Sequence, residues 1–297
     1  MRKIYTAFFI LLIALMLYQS EICLYYSLRG LKLWFENMIP ALFPFMIVSG
    51  IIIKMDLTEN LTGFISPFLQ PLFRVNRNVI YGILIGFLCG FPMGAKVTVQ
   101  LLSCGKITPK EAEYLLCFCN NIGPVYFVSF ALPALGINAP LGPVVGMYLI
   151  PLGYGLILRY VIYRNSISKN SAVSHVKQSS ENKGFLAAMD EAVNDGIAGI
   201  VVLGGYMIIF NALNMLPHIC MPQYASVLSP LLEITGGIKD CGSFMPFYIL
   251  CLLPLGGLSC LAQTYSIIAG AGLKFGQYLL HKIILTIITV LFYHFFL

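Results

Sequence analysis

The sequence predicts an all-α polytopic membrane protein, built from two inverted repeats with broken or re-entrant helices and about 6–8 membrane spans. Three observations predict it. First, 59% of the 297 residues are hydrophobic and only 10% are charged, against about 25% charged in an ordinary soluble domain; the mean hydropathy is +0.86. Second, the stretches 114–158, 196–232 and 241–273 hold no Asp, Glu, Lys or Arg, and each exceeds the about 20 apolar residues that cross a bilayer. Third, Gly and Pro interrupt two long runs, at Cys89-Gly90-Phe91-Pro92-Met93-Gly94 and at Pro254-Leu255-Gly256-Gly257. These residue types stop helices. Continuous runs such as Ile4–Tyr18 do not alternate, which excludes an outer-membrane barrel.

Taken in order, residues 1–29 read as a signal-anchor helix, since Met1-Arg2-Lys3 precedes an apolar stretch that lacks a small-x-small cleavage site. Residues 30–163 read as a first membrane repeat with a connecting helix, 164–189 as a polar cytoplasmic linker, and 190–297 as a second repeat. Eight long apolar segments are expected, at about 4–20, 33–53, 79–102, 114–133, 141–162, 196–216, 243–270 and 276–297. Two shorter ones lie near 60–73 and 224–235. The polar stretch 164–184 is rich in Ser, Asn and Lys, as flexible linkers are.

The two halves share faint patterns. The run 83–96 aligns with 249–263, and 44–50 with 205–211. Duplication of this kind marks transporter folds. Basic residues orient the chain. If 79–102 is a hairpin entering and leaving on one side, then Arg2, Lys3, Lys54, Arg74, Arg77, Lys106, Lys110, Arg159, Arg164, Lys169, Lys177 and Lys183 share that side. Only Arg29 and Lys32 of this half lie opposite. Cytoplasmic loops carry the excess of Lys and Arg, so the hairpin reading places the chain in the cytoplasmic membrane, multi-pass. The same treatment of 243–270 makes it a second hairpin, entering from outside; the alternative is eight simple spans with the N-terminus outside.

Broken helices leave backbone polar groups at membrane depth, which is tolerated where they line a cavity. The solute-binding candidates therefore cluster at the breaks: Gly90, Pro92, Gly94 and Lys96 at the first; Asn120, Asn121 and Gly123 in CFCNNIGP; Glu233 in PLLEITGG; Ser259 and Gln263 after the second break. Lys96 and Glu233 are ionisable groups in apolar surroundings, a functional signal by default, and are expected to pair across the pseudo-symmetry axis. The competing reading makes the Asn pair a helix-to-helix hydrogen-bond glue and leaves Lys96 and Glu233 at interfaces. Asp190, Glu191 and Asp195 suit a helix N-terminus.

The nine cysteines include no CxxC pair, and the four histidines are dispersed, so no metal or disulfide framework is expected. No HExxH, GxSxG or Walker pattern occurs. The expectation is a non-enzyme without cofactor or metal, whose partners are membrane lipid, a small polar solute and a second copy of the chain, not nucleic acid.

The pieces PALFPF (40–45), GFPMGAK (90–96), CNNIGP (119–124), LLEITGG (231–237) and GGLSCLAQ (256–263) carry a resemblance. The sequence resembles the sporulation integral membrane proteins of the YlbJ type, within the wider nucleoside-recognition (Gate) domain group. That resemblance implies a role in endospore formation at the cortex stage. It also implies kinship with the membrane cores of concentrative nucleoside transporters and ferrous-iron transporter B. The resulting expectation is a transporter-like protein moving or gating a small polar solute. The alternative is a non-transporting membrane scaffold for sporulation proteins.

Overall fold

A computed structural model describes residues 2–138, 141–167 and 184–296. Most of the linker expected at 164–189 lies outside the described residues, as do Lys169, Lys177 and Lys183. Among the described residues the regular structure is helical, and the chain is a polytopic α-helical membrane protein. Five helical segments are long and apolar enough to cross a bilayer, or up to six if a bent pair counts as one span. Large apolar side chains stay exposed along them, among them Val201 and Val202, and Leu280, Ile283, Ile287 and Leu291, as do Phe8 and Phe9 on the helix before them. That is the surface a lipid solvent favours.

Helix α1 (Arg2–Tyr18) ends at Gln19, and α2 (Ser20–Leu33) follows at once. A π turn over Trp34–Met38 joins α2 to α3 (Ile39–Lys54). Residues 20–54 thus form one apolar helix of 35 residues, about 52 Å long and well beyond the about 30 Å hydrocarbon core. This corrects the loop expected around Arg29 and Lys32, and the boundary placed at residue 29 falls inside the helix. Gly30 does not break it, because the glycine is used for packing. A Cβ there would come within 2.9 Å of Asn211 Cβ, on the helix that runs antiparallel alongside.

After α3 come α4 (Thr58–Thr62) and α5 (Ser66–Phe73). The chain turns through 103° into α6 (Arg77–Cys89), whose N-cap Asn76 accepts from Val79 N at 2.9 Å. Helix α7 (Met93–Ser103) folds straight back along α6. A Cβ on Gly82 would meet Leu101 at 3.5 Å, so the two arms form a hairpin with its tip at Gly90–Pro92. Helix α8 (Pro109–Leu116) starts in a capping box of Thr108 and Glu111. It unwinds over 117–123 and resumes as α9 (Pro124–Tyr126), a π turn over Phe127–Ala131, and α10 (Leu132–Ala134). Helix α11 (Leu141–Val161) returns beside this broken segment. Tyr114 donates to Gly155 O, whereas the Phe127 ring meets Tyr148, so the broken segment runs through the protein antiparallel to α11.

The second half begins with α12 (Phe185–Ala212), which packs on the 20–54 helix. Trp34 Nε1 donates to Ile200 O at 2.8 Å, and Gly50 faces Ala192. Small residues on both sides let the backbones approach, which in lipid replaces the hydrophobic drive available in water. Helix α13 (Met215–Cys220) leads to a second hairpin, α14 (Ala225–Leu232) and α15 (Ile234–Cys241). Its arms touch along their length. Gly237 lies on Pro230, and Cys241 Sγ donates to Ser226 O at 3.2 Å. Then α16 (Pro246–Leu252) breaks at 253–256 and continues as α17 (Gly257–Ala269). Helix α18 (Phe275–Phe296) closes the fold.

The second hairpin is therefore not 243–270, as expected. Residues 246–269 read as one 24-residue span without a bend above 40°; only Leu253–Gly256 interrupts it. The second hairpin is instead 225–241, a short apolar segment in the sequence because Glu233 splits it into arms of eight residues each. The alignment of 83–96 with 249–263 is corrected with it, since the first is a hairpin tip and the second a broken span.

The two hairpins enter from opposite ends. Around the base of the first lie Lys54, which pairs with Glu191 and Asp195, Lys106, which pairs with Asp56, and Arg159, which donates to Arg74 O at 2.9 Å. Glu191 and Asp195 thus lie inside α12 as ion-pair partners and not at a helix start. On the second hairpin, Arg29 lies along α15, in an ion pair with Asp240 towards its end.

Candidate functional site

Both hairpin tips and both breaks meet in the interior. Glycine makes the first junction possible. A Cβ on either Gly86 or Gly94 would run into the carbonyl oxygen of Cys119, and one on Gly90, at φ +82°, into the backbone of Gly123. The α6–α7 hairpin thus clasps the unwound 117–123 segment backbone to backbone, which any larger residue would prevent. At the second junction a Cβ on Gly257 would lie 3.0 Å from Pro230 O.

The unwound segments need partners for their polar groups, and buried side chains supply them. Asn120, fully buried, accepts from Ala95 N at 3.3 Å and donates to Thr264 Oγ1 and Tyr278 OH, each at 3.1 Å. One amide thereby ties the first hairpin, the first break, α17 and α18. Asn121 donates to Phe118 O at 2.5 Å and accepts from Lys282 Nζ at 3.0 Å. Lys282 also donates to Pro254 O at 3.1 Å, in the second break. Tyr148 OH donates to Ile122 O at 3.2 Å.

Glu233 forms the tip of the second hairpin and caps α15. It accepts from Thr235 N at 3.1 Å, Gly236 N at 2.7 Å and Asn211 Nδ2 at 3.1 Å. Arg29 donates to Gly236 O, so α2 and α12 both hold this tip. Lys96 does not reach Glu233. Its Nζ donates to Asp195 O at 2.7 Å, because α7 points it along the hairpin towards α12. The expected Lys96–Glu233 pair is corrected: each group bonds to other partners, chiefly backbone.

Two cavities adjoin the junction. The smaller, about 60 Å³, lies between the tips and is lined by Cys89, Phe91, Gly123, Glu233, Thr235 and Gln263. The larger, about 470 Å³, is lined by Pro92, Lys96, Gln100, Asp195, Gln263 and Ser266. Gln263 and Leu203 line both, so the two spaces adjoin. The larger lies within the about 300–1,000 Å³ range of small-molecule sites. Gln100 Oε1, on its wall, is buried without a hydrogen-bond partner among the described residues. Lys96 has one protein acceptor among the described residues, leaving two protons of its ammonium for a further acceptor. Ser259, also predicted, sits behind this wall and accepts from Gln263 Nε2 at 3.1 Å.

The predicted residues thus divide. Gly90, Gly94, Asn120, Asn121 and Gly123 build the first junction, Pro92, Lys96 and Gln263 line the large cavity, Ser259 supports it, and Glu233 closes the far side. Sequence reasoning missed Lys282, Tyr278 and Thr264. A charged residue inside the apolar 276–297 run was the available signal for Lys282, but it lies near one end of that run, where a snorkelling lysine is unremarked.

The chain is similar to the sporulation integral membrane protein YlbJ of Bacillus subtilis (strain 168), at 25% identity over 240 residues. The match covers 75% of this chain and 58% of that protein, so the chain spans little more than half the length of this curated relative. No family model and no solved structure matches the chain. The resemblance to the YlbJ-type sporulation membrane proteins read from the scattered motifs is borne out by this similarity.

Proposed function

We propose that this chain, multi-pass and YlbJ-like, moves or gates a small polar solute across the cytoplasmic membrane during endospore formation. The observation that carries the reading is the cavity of about 470 Å³ between the first hairpin, α12 and α17, with Lys96, Gln100, Gln263 and Ser266 on its wall. A cation, two amides and a hydroxyl suit a solute bearing a carboxylate, phosphate or carbonyl group. The cavity leads from Asp195, on the side rich in Lys and Arg, to Pro92 at the first tip.

In this reading each hairpin and the broken span after it form one unit. The units are 77–134 and 225–269, and they are related by inverted topology. Such pairs carry a midplane site flanked by discontinuous helices, reached alternately from the two sides. The first hairpin gates the cytoplasmic side and the second, clamped by Arg29, the outer side.

The test is uptake into proteoliposomes of a panel of radiolabelled probes: a nucleoside, a neutral amino acid and a dicarboxylate. The expected result is saturable uptake of one probe by the intact chain, lost in Lys96→Ala and Gln263→Ala at unchanged protein amount. Both variants should also fail to restore sporulation to a host lacking its own relative. Restored sporulation by both variants, with no uptake of any probe by the intact chain, refutes the reading and leaves the scaffold role.

A further inference from the structure

Lys282 is 1% exposed, in the body of α18, and the solute reading makes no use of it. Its ammonium donates to Asn121 Oδ1 at 3.0 Å and Pro254 O at 3.1 Å. It also lies 4.3 Å from the centre of the Phe91 ring and 5.9 Å from that of Tyr278. Both hydrogen-bond partners are neutral oxygens, and the rings offer their electron-rich faces. A buried ammonium is costly and persists where the surroundings compensate it.

The compensation is visible in the placement. Asn121 belongs to the break that follows α8, and Pro254 to the break that follows α16. The C-terminal ends of two half-helices therefore precede the points where the ammonium binds. Such ends carry free carbonyls and partial negative charge. In membrane proteins with interrupted helices, unwound carbonyls and half-helix C-termini coordinate a small cation. The ligand set around Lys282 Nζ is of that kind: an amide oxygen, a main-chain carbonyl and two ring faces.

We propose that Lys282 is a tethered cation, occupying a monovalent-cation site formed where the two broken helices meet, so that the intact chain joins its two halves without binding a metal ion there. Removing the side chain opens that site to a free monovalent cation, sodium or methylammonium. The inference concerns assembly and is independent of the solute reading, because its test reads unfolding and not transport.

The experiment follows thermal unfolding of the purified full chain and of Lys282→Ala and Lys282→Met in detergent. Choline, sodium and methylammonium chlorides are compared at equal ionic strength. Lys282→Ala should unfold well below wild type in choline. Sodium or methylammonium should raise its midpoint saturably, by about 5–10 °C at a hundredfold excess over the dissociation constant. Wild type and Lys282→Met should not respond, because their side chains still fill the space, and Lys282→Met should be less stable than wild type. An Ala variant that neither cation recovers, whether it folds weakly or is lost from the membrane, overturns the proposal. A Met variant as stable as wild type in choline overturns it as well.

Discussion

Glu233→Gln tests how the second hairpin is held. The carboxylate is 2% exposed and accepts three hydrogen bonds, two at Oε2 from Gly236 N and Asn211 Nδ2 and one at Oε1 from Thr235 N. Glutamine keeps one oxygen. Its best rotamer places that oxygen where Oε2 was, leaving its own amide protons against Thr235 N–H. One donor is then buried without an acceptor, at a cost of about 1–3 kcal/mol. That bond is also part of the cap of α15, so the two costs are one, about 1–3 kcal/mol. For a chain of this size that corresponds to a midpoint lower by roughly 3–10 °C. The assay is thermal unfolding of the purified protein, with the Asn211→Ala single and double variants completing a cycle. Glu233 and Asn211 share a hydrogen bond, so the cycle should show coupling of about 1 kcal/mol. A Gln variant within 1–2 °C of wild type (roughly 0.5 kcal/mol), or strictly additive effects, would show that the tip is not held by this carboxylate.

Three further outcomes are expected. Gly94→Ala and Gly86→Ala should each lower stability by about 1–3 kcal/mol or more, because the added carbon meets the Cys119 carbonyl and backbone cannot rotate away; wild-type unfolding of both variants would refute the clasp. Lys96→Ala should cost less than about 1 kcal/mol in unfolding, since one hydrogen bond to Asp195 O is lost, yet abolish sporulation rescue; a large unfolding shift would make Lys96 structural. Exposed Cys104, just past the first hairpin, and a cysteine placed at exposed Ser243, just past the second, should label from the cytoplasmic and outer faces respectively once exposed Cys220 is replaced; labelling of both from one face only would refute opposed hairpins.

Composition and charge spacing alone place this chain in a membrane, because no arrangement of so few polar groups covers a water-exposed surface. They also locate the first hairpin. A hairpin puts the basic residues around 74–110 on one side, which eight simple spans, the competing reading, would split between two, and Gly90 and Pro92 supply a turn. The residues of the first junction were legible for a similar reason: Asn120 and Asn121 are costly in apolar sequence unless they are bonded.

The second hairpin was hidden. Its arms are too short for a hydropathy window, and the Pro254–Gly257 break is the more conspicuous interruption, although it only bends the backbone bonding of a continuing span. Which interruptions reverse the chain and which merely open it depends on what packs beside them. Gly237 against Pro230 folds 225–241 back on itself, whereas α18 runs alongside 246–269 and keeps it extended. The same holds for the charges. Local sequence marks Lys96 and Glu233 as residues that require compensation and passes over Lys282, but the partners of all three come from segments far apart in the chain. Asn121 and Pro254 around Lys282, and Asn211 and Arg29 around the Glu233 tip, are brought together only when the helices pack, because hydrogen bonds at membrane depth have no water to fall back on.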